Sequence, residues 1–459
     1  MVNLGCFETV VFLGGGGGSR RLSLRRWRMG ASCGRQTHTA ADDTIPDNTE
    51  GRPLNGATTQ KRSSSVDVSG AIAMLESVAQ ELQGDTRLKM LSACKLARSI
   101  VRDNQVAPPD ADKLAALYNL PEALISTAPP QLRASRPAGP ELDMAVQLPP
   151  PLSEDLAQRV RSWNFNLHDV SKEDLPELCF GVMLGHEEFS QVDINRKRLW
   201  RFVQEIASRY RDNPFHSFRH AVDVTICCSC LVRMAQAARR VALSDPQVVV
   251  ALLVSAMFHD TDHPGVMNGF LVATRHPLAL LYNNQSVLEN HHCSTALSLL
   301  ERPELNFLNN LSGADQSQIK GHMITCVLAT DVTTHMNFLK EYRACIEADG
   351  VANLKPDLIM KLLIKSADIS NPTRPLKVYQ PWIDGVMAEF FRQGDVERTL
   401  GLPISMNCDR HTVATAKCQV GFISFLVKPL FDGTLEYIPA LKDVAMTNLE
   451  ANLAHFKAL

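Results

Sequence analysis

No part of this 459-residue chain is apolar for long enough to cross a bilayer as a helix. The longest strongly apolar run, Val248–Phe258, has eleven residues and is interrupted only by Ser255, whereas a membrane-spanning helix needs about 20. We predict instead a helix that is buried on all sides in a large core. A second run, Val10–Leu13, is too short for the core of a secretory signal, and arginines follow it rather than precede it. The sequence therefore predicts a cytoplasmic protein without a transmembrane segment.

The chain also lacks an excess of charge of either sign and a regular spacing of cysteines. It has 47 Lys and Arg against 49 Asp and Glu, a net charge of −2, so a broad basic face that binds nucleic acid is not expected. Its 12 cysteines include a cluster at Cys227, Cys228 and Cys230, but no matching pair with histidine spacing follows. A zinc finger is therefore not indicated, and reduced, mostly buried thiols are predicted.

The composition divides the chain into four parts. Residues 1–70 form a basic and polar tail that is predicted to be disordered, because it has too little apolar surface to offset the entropy of folding. Residues 71–125 have apolar side chains at helical spacing and are interpreted as a docking element or a short dimerising coil, which allows a homodimer. A proline-rich linker, residues 126–151, precedes residues 152–459, where apolar periodicity of helical type predicts a compact all-α domain.

Two short motifs lie in the predicted tail. Ser23 follows two arginines and a leucine, which resembles a site for the basophilic cAMP-dependent kinase, and its phosphorylation would add negative charge to a basic segment. If translation begins at Met29, Gly30 and Cys33 are positioned to carry a myristoyl and a palmitoyl chain, which together would anchor the protein to a membrane. Gly34 stands where that acylation consensus prefers Ser or Thr.

Four short segments of the all-α domain place metal-ligating side chains in apolar surroundings. On a helix, His216 and His220 would project from one face because they are four residues apart. Two imidazoles and two carboxylates follow the apolar run Val248–Phe258, and each buried charge would cost several kcal/mol unless it were paired or bound to a cation. Singly, such segments have ordinary explanations, such as a surface helix face, a helix cap or a hydrogen-bonded core pair. Together they predict a metal site, and their residues are Phe215–His220, His259–Gly265, Leu288–His292 and Ser366–Pro372.

The donor types in these segments indicate two divalent cations. Two imidazole nitrogens and two carboxylates suit Zn²⁺ or a similar first-row ion with positions left for water, and the residues are His220, His259, Asp260 and Asp368. A carboxylate such as Asp260 can bridge to a second, harder ion, Mg²⁺ or Mn²⁺. Such a pair would activate a hydroxide and stabilise both oxygens of a phosphate displacement. His216 is not needed as a ligand and is placed to protonate the leaving group.

Seven stretches, taken in order, resemble the catalytic domain of class I cyclic nucleotide phosphodiesterases, which has an all-helical HD-type fold: NPFHSFRHAVDV, FHDTDHPG, SVLENHHC, LATD, ADISNP, EFFRQGD and QVGFISF. The resemblance covers residues 152–459. It implies that the chain hydrolyses cAMP or cGMP to the 5′-monophosphate in cyclic-nucleotide signal transduction, with a two-metal-activated hydroxide and a histidine general acid.

The resemblance also implies a role for each matched residue. His216 matches the general acid, and the four residues named above match the ligands of the first metal. Gln419 matches the glutamine that reads the purine, and Phe422 matches the ring that stacks on the base. Other matched residues surround the second metal's water shell, the phosphate or the substrate: His263, Glu289, His292 and Asn371.

The choice between cAMP and cGMP stays open at this point, with a slight tilt to cGMP. The segments NPFHSFRH and SVLENHHC look most like the cGMP-preferring ninth family, whereas Pro372 and Phe390 follow other branches. A glutamine amide can flip to serve either purine. Thr261 stands where an aliphatic residue is usual and Val332 where methionine is frequent, but neither change removes a ligand.

Two other functions are compatible with parts of this pattern. Another HD-type phosphohydrolase, acting on nucleotides or cyclic dinucleotides, is disfavoured by Gln419 and Phe422, which lie far downstream of the metal set. A catalytically inactive sensor or scaffold would be expected to lack a ligand or the general acid, and here His216 and all four ligands are present.

Overall fold

The computed structural model describes residues 146–459, and the helices of this segment are joined by turns and loops. Sixteen α-helices occur in it: α1 Glu154–Arg159, α2 Leu175–Leu184, α3 Glu188–Gln191, α4 Arg196–Arg209, α5 Phe218–Ala237, α6 Pro246–Phe258, α7 Asn268–Ala273, α8 Pro277–Leu281, α9 Val287–Leu300, α10 Gly313–Ala329, α11 His335–Asp349, α12 Pro356–Asp368, α13 Leu376–Thr399, α14 Thr415–Phe422, α15 Lys428–Tyr437 and α16 Thr447–Ala458.

Shorter helical turns connect several of these helices. Five 3₁₀ turns are present at Leu167–Asp169, Val241–Leu243, Val332–Thr334, Val351–Asn353 and Asn371–Thr373, and two π-helical segments at Ile423–Val427 and Lys442–Met446. Between residues 146 and 459 the chain forms no β-strand, so the all-α prediction is confirmed for this part. The predictions for residues 1–70 and 71–125, including those for Ser23, Met29 and the acylation motif, concern residues outside the described part of the chain, as does most of the predicted linker.

The centre of the core is α6, and its burial follows from its sequence. Asp245 caps its first turn by accepting a hydrogen bond from the backbone N–H of Gln247 at 2.9 Å, and Pro246 occupies the first helical position, which suits a residue without an N–H. Every residue of Val248–Phe258 is buried, as predicted from the apolar run. This helix packs against α5, α10 and α12.

That packing brings helix ends together. His220 lies in the first turn of α5, His259 directly follows the last residue of α6, and Asp368 ends α12. Because these helices pack on one another, three distant parts of the chain meet at one end of the core. Within residues 146–459, no helix combines the length and hydropathy that a membrane crossing requires.

Candidate active site

The four predicted metal ligands converge. The Nε2 atom of His220 lies 3.1 Å from Oδ1 of Asp368 and 3.5 Å from Oδ2 of Asp260. The Nε2 atom of His259 lies 3.1 Å from Oδ2 of Asp260 and 3.3 Å from Oδ1 of Asp368. Both imidazoles are almost completely buried, whereas the two carboxylates reach solvent at the edge of a cavity.

This geometry fits a divalent cation. A metal with bonds of about 2.0–2.1 Å holds neighbouring ligand atoms roughly 3.0–3.4 Å apart in octahedral or tetrahedral coordination, and the observed separations are 3.1–3.5 Å. The Nδ1–H of His259 donates to the carbonyl of Ala256 at 2.9 Å, which leaves Nε2 with its lone pair toward the carboxylates. This nitrogen is buried and has no hydrogen-bond partner, as expected of a ligand atom oriented by its other ring nitrogen.

The charges of these four side chains also fit a divalent cation. Burial lowers the pKa of His259, but the carboxylates of Asp260 and Asp368 outweigh it and hold that pKa well above its ordinary value. Burial raises the pKa of both carboxyl groups, yet the adjacent imidazoles hold them well below their usual range. The carboxylates thus remain ionised and attract positive charge, which a divalent cation would supply in place of protons.

A second group of donor atoms shares Asp260. His263 and His292 each offer a ring nitrogen within 4.8 Å of an Asp260 oxygen, and Nε2 of His292 is 3.6 Å from Oδ1. Glu289 lines the same cavity, where both of its carboxylate oxygens accept from Nδ2 of Asn268 at 3.2 and 2.9 Å. Burial raises the pKa of Glu289 to about 7.

His216 reaches the cavity from a different position than predicted. The prediction that His216 and His220 share a helix is wrong, because α5 begins at Phe218 and His216 lies in the turn before it. The backbone N–H groups of Phe215 and His216 both donate to Oε1 of Glu389 at 2.7 Å, which holds this turn out of the helix. The Nδ1 atom of His216 lies 2.7 Å from Oε2 of the same carboxylate.

Glu389, whose carboxylate binds His216, was not predicted from the sequence. It lies on α13 and is buried, and its charge sets the state of His216: burial lowers the pKa of this imidazole, but the Glu389 carboxylate raises it, and the net pKa is about 9. The ring of His216 stacks on His263 at 4.0 Å between centroids. The available signal was an acid beside Phe390 and Phe391 in the EFFRQGD stretch.

Most of the predicted site residues line one cavity: His216, Asp260, His263, Glu289, His292, Asp368 and Phe422. Lys365 and His335, which the sequence reasoning also missed, line it too. The Nζ atom of Lys365 donates to the carbonyl of Ala329 at 2.6 Å, at the end of α10.

The structure does not place Gln419 and Asn371 among the described residues that line this cavity. Gln419 lies on α14 as predicted and is buried, and its Oε1 accepts a hydrogen bond from the hydroxyl of Tyr379. Asn371 is buried, and its Nδ2 donates to Oδ2 of Asp223 at 3.2 Å.

Known proteins share this sequence and fold. Residues 215–449 match the family described as 3′5′-cyclic nucleotide phosphodiesterase. The protein described as probable 3′,5′-cyclic-AMP phosphodiesterase pde-4 of Caenorhabditis elegans is 34% identical over 308 residues, which cover 64% of this chain and 45% of that protein. The high affinity cGMP-specific 3′,5′-cyclic phosphodiesterase 9A of Mus musculus is 35% identical over 267 residues, which cover 58% of this chain and 49% of that protein. The chain therefore spans less than half the length of either relative.

A solved structure shows the same architecture. The phosphodiesterase domain of the RhoPDE fusion protein from the choanoflagellate Salpingoeca rosetta matches this chain with a TM-score of 0.61 and 32% sequence identity. The match covers 65% of this chain and 95% of the chain in that structure. The family match extends over more than half of the chain and includes all the residues that line the cavity. The chain belongs to the 3′,5′-cyclic nucleotide phosphodiesterase family, as the resemblance in its motifs implied.

Proposed function

We propose that the chain hydrolyses the 3′,5′-cyclic phosphate of cAMP or cGMP to give the 5′-monophosphate. The observation that carries the proposal is the convergence of two imidazole nitrogens on two carboxylates, with N···O separations of 3.1–3.5 Å, beside a histidine that is held by a buried glutamate. Two relatives, one described as a probable cyclic-AMP phosphodiesterase and one as a cGMP-specific phosphodiesterase, support either substrate.

Two divalent cations are part of this proposal. Zn²⁺ suits the first site, because imidazole and carboxylate are its usual ligands, and its ligands are His220, His259, Asp260 and Asp368. Mg²⁺ or Mn²⁺ suits the wider second group beside Asp260, because a hard ion keeps most of its waters. When bound, the cations supply the Lewis acidity that activates water and neutralises phosphate charge. We place His263, Glu289 and His292 around the water shell of the second cation.

His216 acts as the general acid in this scheme. The bond from its Nδ1 to Glu389 fixes the ring, so Nε2 is left to face the cavity and the departing 3′ oxygen. The carboxylate of Glu389 also stabilises the imidazolium, so His216 holds a proton at neutral pH. Protonation of the leaving oxygen avoids the release of an alkoxide into the cavity.

The base is recognised by α14 in this proposal. Phe422 lines the cavity and offers a ring for stacking. Tyr379 donates to Oε1 of Gln419 and so orients the amide that reads the purine edge. The substrate-binding role of Asn371 stays a prediction, as do homodimerisation, phosphorylation of Ser23 and acylation after Met29.

Hydrolysis of the two cyclic nucleotides, measured side by side, tests the proposal. The purified full-length chain should convert at least one of them to the 5′-monophosphate, lose this activity in EDTA and regain it with Zn²⁺ plus Mg²⁺. Gln419→Ala should lower kcat/KM for both substrates. Binding without turnover after metal restoration would identify a sensor, and turnover of a cyclic dinucleotide alone would identify another HD-type phosphohydrolase.

A further inference from the structure

The segment between two metal-site residues has a left-handed residue at its centre. Asp262 has φ of +61°, and the backbone N–H of His263 donates to the carbonyl of Asp260 at 3.0 Å to close a turn. Because of this turn, Asp260 and His263 both line the cavity while the side chain of Asp262 lies outside it. The proposed chemistry gives this carboxylate no role.

Two distant side chains hold the Asp262 carboxylate, one on each oxygen. The Nε atom of Arg211 donates to Oδ1 at 2.8 Å, and Nε2 of His291 lies 2.8 Å from Oδ2. Arg211 is 18% exposed, Asp262 26% and His291 13%. Such partly buried, charge-assisted bonds are stronger than ordinary surface ion pairs.

The chain neighbours of both partners bind the same segment. The hydroxyl of Tyr210, next to Arg211, accepts the backbone N–H of Asp260 at 3.2 Å and donates to the carbonyl of Met257 at 3.0 Å. A ring nitrogen of His292, next to His291, donates to the carbonyl of Thr261 at 2.7 Å. Two pairs of adjacent residues therefore contact this segment. In each pair, one member binds the Asp262 carboxylate (Arg211, His291), and the other binds the backbone (Tyr210, His292).

We propose that Asp262, clamped between Arg211 and His291, is a positioning residue that fixes the separation of Asp260 from His263 and thereby sets the affinity for divalent cations. The proposal rests on the metal-dependent function proposed above. Ligand atoms must be held to a fraction of an ångström for tight binding, and groups that orient ligands from outside typically change metal affinity or activity by about 10–100-fold when they are removed.

A simpler role for Asp262 must be separated from this one. Asp, Asn and Gly tolerate the left-handed conformation better than other residues, so Asp262 would also suit this turn without any use of its carboxylate. Asp262→Gly keeps the backbone conformation accessible and removes only the carboxylate. The variant therefore distinguishes the clamp from the backbone requirement.

Binding of Mn²⁺ to the full-length chain, followed by the electron paramagnetic resonance of free Mn²⁺, tests the proposal without relying on turnover. Asp262→Gly should weaken Mn²⁺ binding by about tenfold or more and raise the Mn²⁺ concentration for half-maximal hydrolysis by the same factor. Arg211→Met should have a similar effect, and the double variant should lose little more, because both changes release the same clamp. Arg398→Met is the control, since Arg398 pairs with Asp409 at 2.7 Å on the surface of α13 and should leave Mn²⁺ binding unchanged.

Each outcome has a distinct meaning. If wild type binds Mn²⁺ and hydrolyses cyclic nucleotide while Asp262→Gly matches it within twofold in both, the clamp proposal is overturned and the proposed function stands. If wild type neither binds Mn²⁺ nor hydrolyses either nucleotide, the proposed function fails first. Should Asp262→Gly fail to fold, Arg211→Met decides: it removes both the charge and the Nε–H donor to Oδ1 of Asp262, and wild-type Mn²⁺ affinity in this variant would overturn the clamp.

Discussion

Two groups of buried charges lie one helical turn apart on α5 and are built differently. The carboxylate of Asp223 faces Arg374, whose Nη1 donates to Oδ1 at 2.7 Å and whose Nη2 donates to Oδ2. Arg374 also donates to Oγ of Ser370 and Sγ of Cys227, both at 3.1 Å. At Asp223, the chain itself supplies a permanent positive charge.

The ligand cluster around His220 has carboxylates without such a cation. The close partners of the Asp368 carboxylate in the described segment are the imidazoles of His220 and His259, and Nε2 of His259 has no hydrogen-bond partner. A buried carboxylate needs a compensating charge. At Asp223 an arginine supplies this charge. At Asp368 the partners are imidazoles, and a divalent cation fits in place of their protons, as proposed above.

Loss of a proposed metal ligand should have the largest effect, and this effect should be on activity rather than on stability. Asp368→Ala removes one carboxylate from the proposed first metal site. We expect kcat/KM for cyclic nucleotide to fall by about 10⁴-fold, because the bound cation lowers the activation barrier by several kcal/mol. Metal content, measured by atomic emission, should fall with it. The melting temperature in EDTA should change little, because no arginine or lysine side chain is left unpaired. A large loss of stability in EDTA would show that Asp368, like Asp223, mainly stabilises the fold.

The opposite result is expected at the arginine site. Arg374→Met leaves Asp223 buried without its positive partner, and breaking such a pair typically costs about 3–5 kcal/mol of unfolding free energy. Urea denaturation should show this loss, while the protein that remains folded should bind metal with wild-type stoichiometry. Reduced metal stoichiometry in the folded fraction would show that the two sites are one unit.

Glu389→Gln should have a smaller effect and should separate proton transfer from metal binding. Glu389 raises the pKa of His216, so its removal should lower that pKa. Activity that needs protonated His216 is lost as pH rises through this pKa, and the alkaline limb of the kcat profile should therefore move to lower pH. We expect kcat at neutral pH to fall by roughly 10–100-fold with metal content unchanged. An unshifted profile would argue against His216 as the acid.

Loss of an exposed ion pair should have the smallest effect on the unfolding free energy. Lys172 and Asp212 approach to 2.7 Å, with 68% and 88% of their side chains exposed. Lys172→Met should change the unfolding free energy by less than about 1 kcal/mol, because solvent screens such pairs. Urea denaturation measures this change, and a loss comparable to that of Arg374→Met would remove burial as the explanation of the difference.

Much of the fold and of the metal cluster was predictable from local sequence. The buried helix α6 was visible as an eleven-residue apolar run, and His259 and Asp368 were visible as donors at the ends of apolar helices. The position of His216 in the turn before α5 was not predictable, because the carboxylate that binds this turn lies 173 residues away on α13. Arg211 likewise reaches Asp262 over 51 residues.

The sequence by itself determined the helical class and the chemical identity of the donors, because apolar periodicity and side-chain type are local properties. Only the tertiary structure decided which donor atoms come together, and that the Glu389 carboxylate binds Nδ1 of His216. It also decided that Asn371 bonds to Asp223. Those outcomes depend on how helix ends pack against one another. The distance between two packed helices cannot be predicted from the local sequence of either helix.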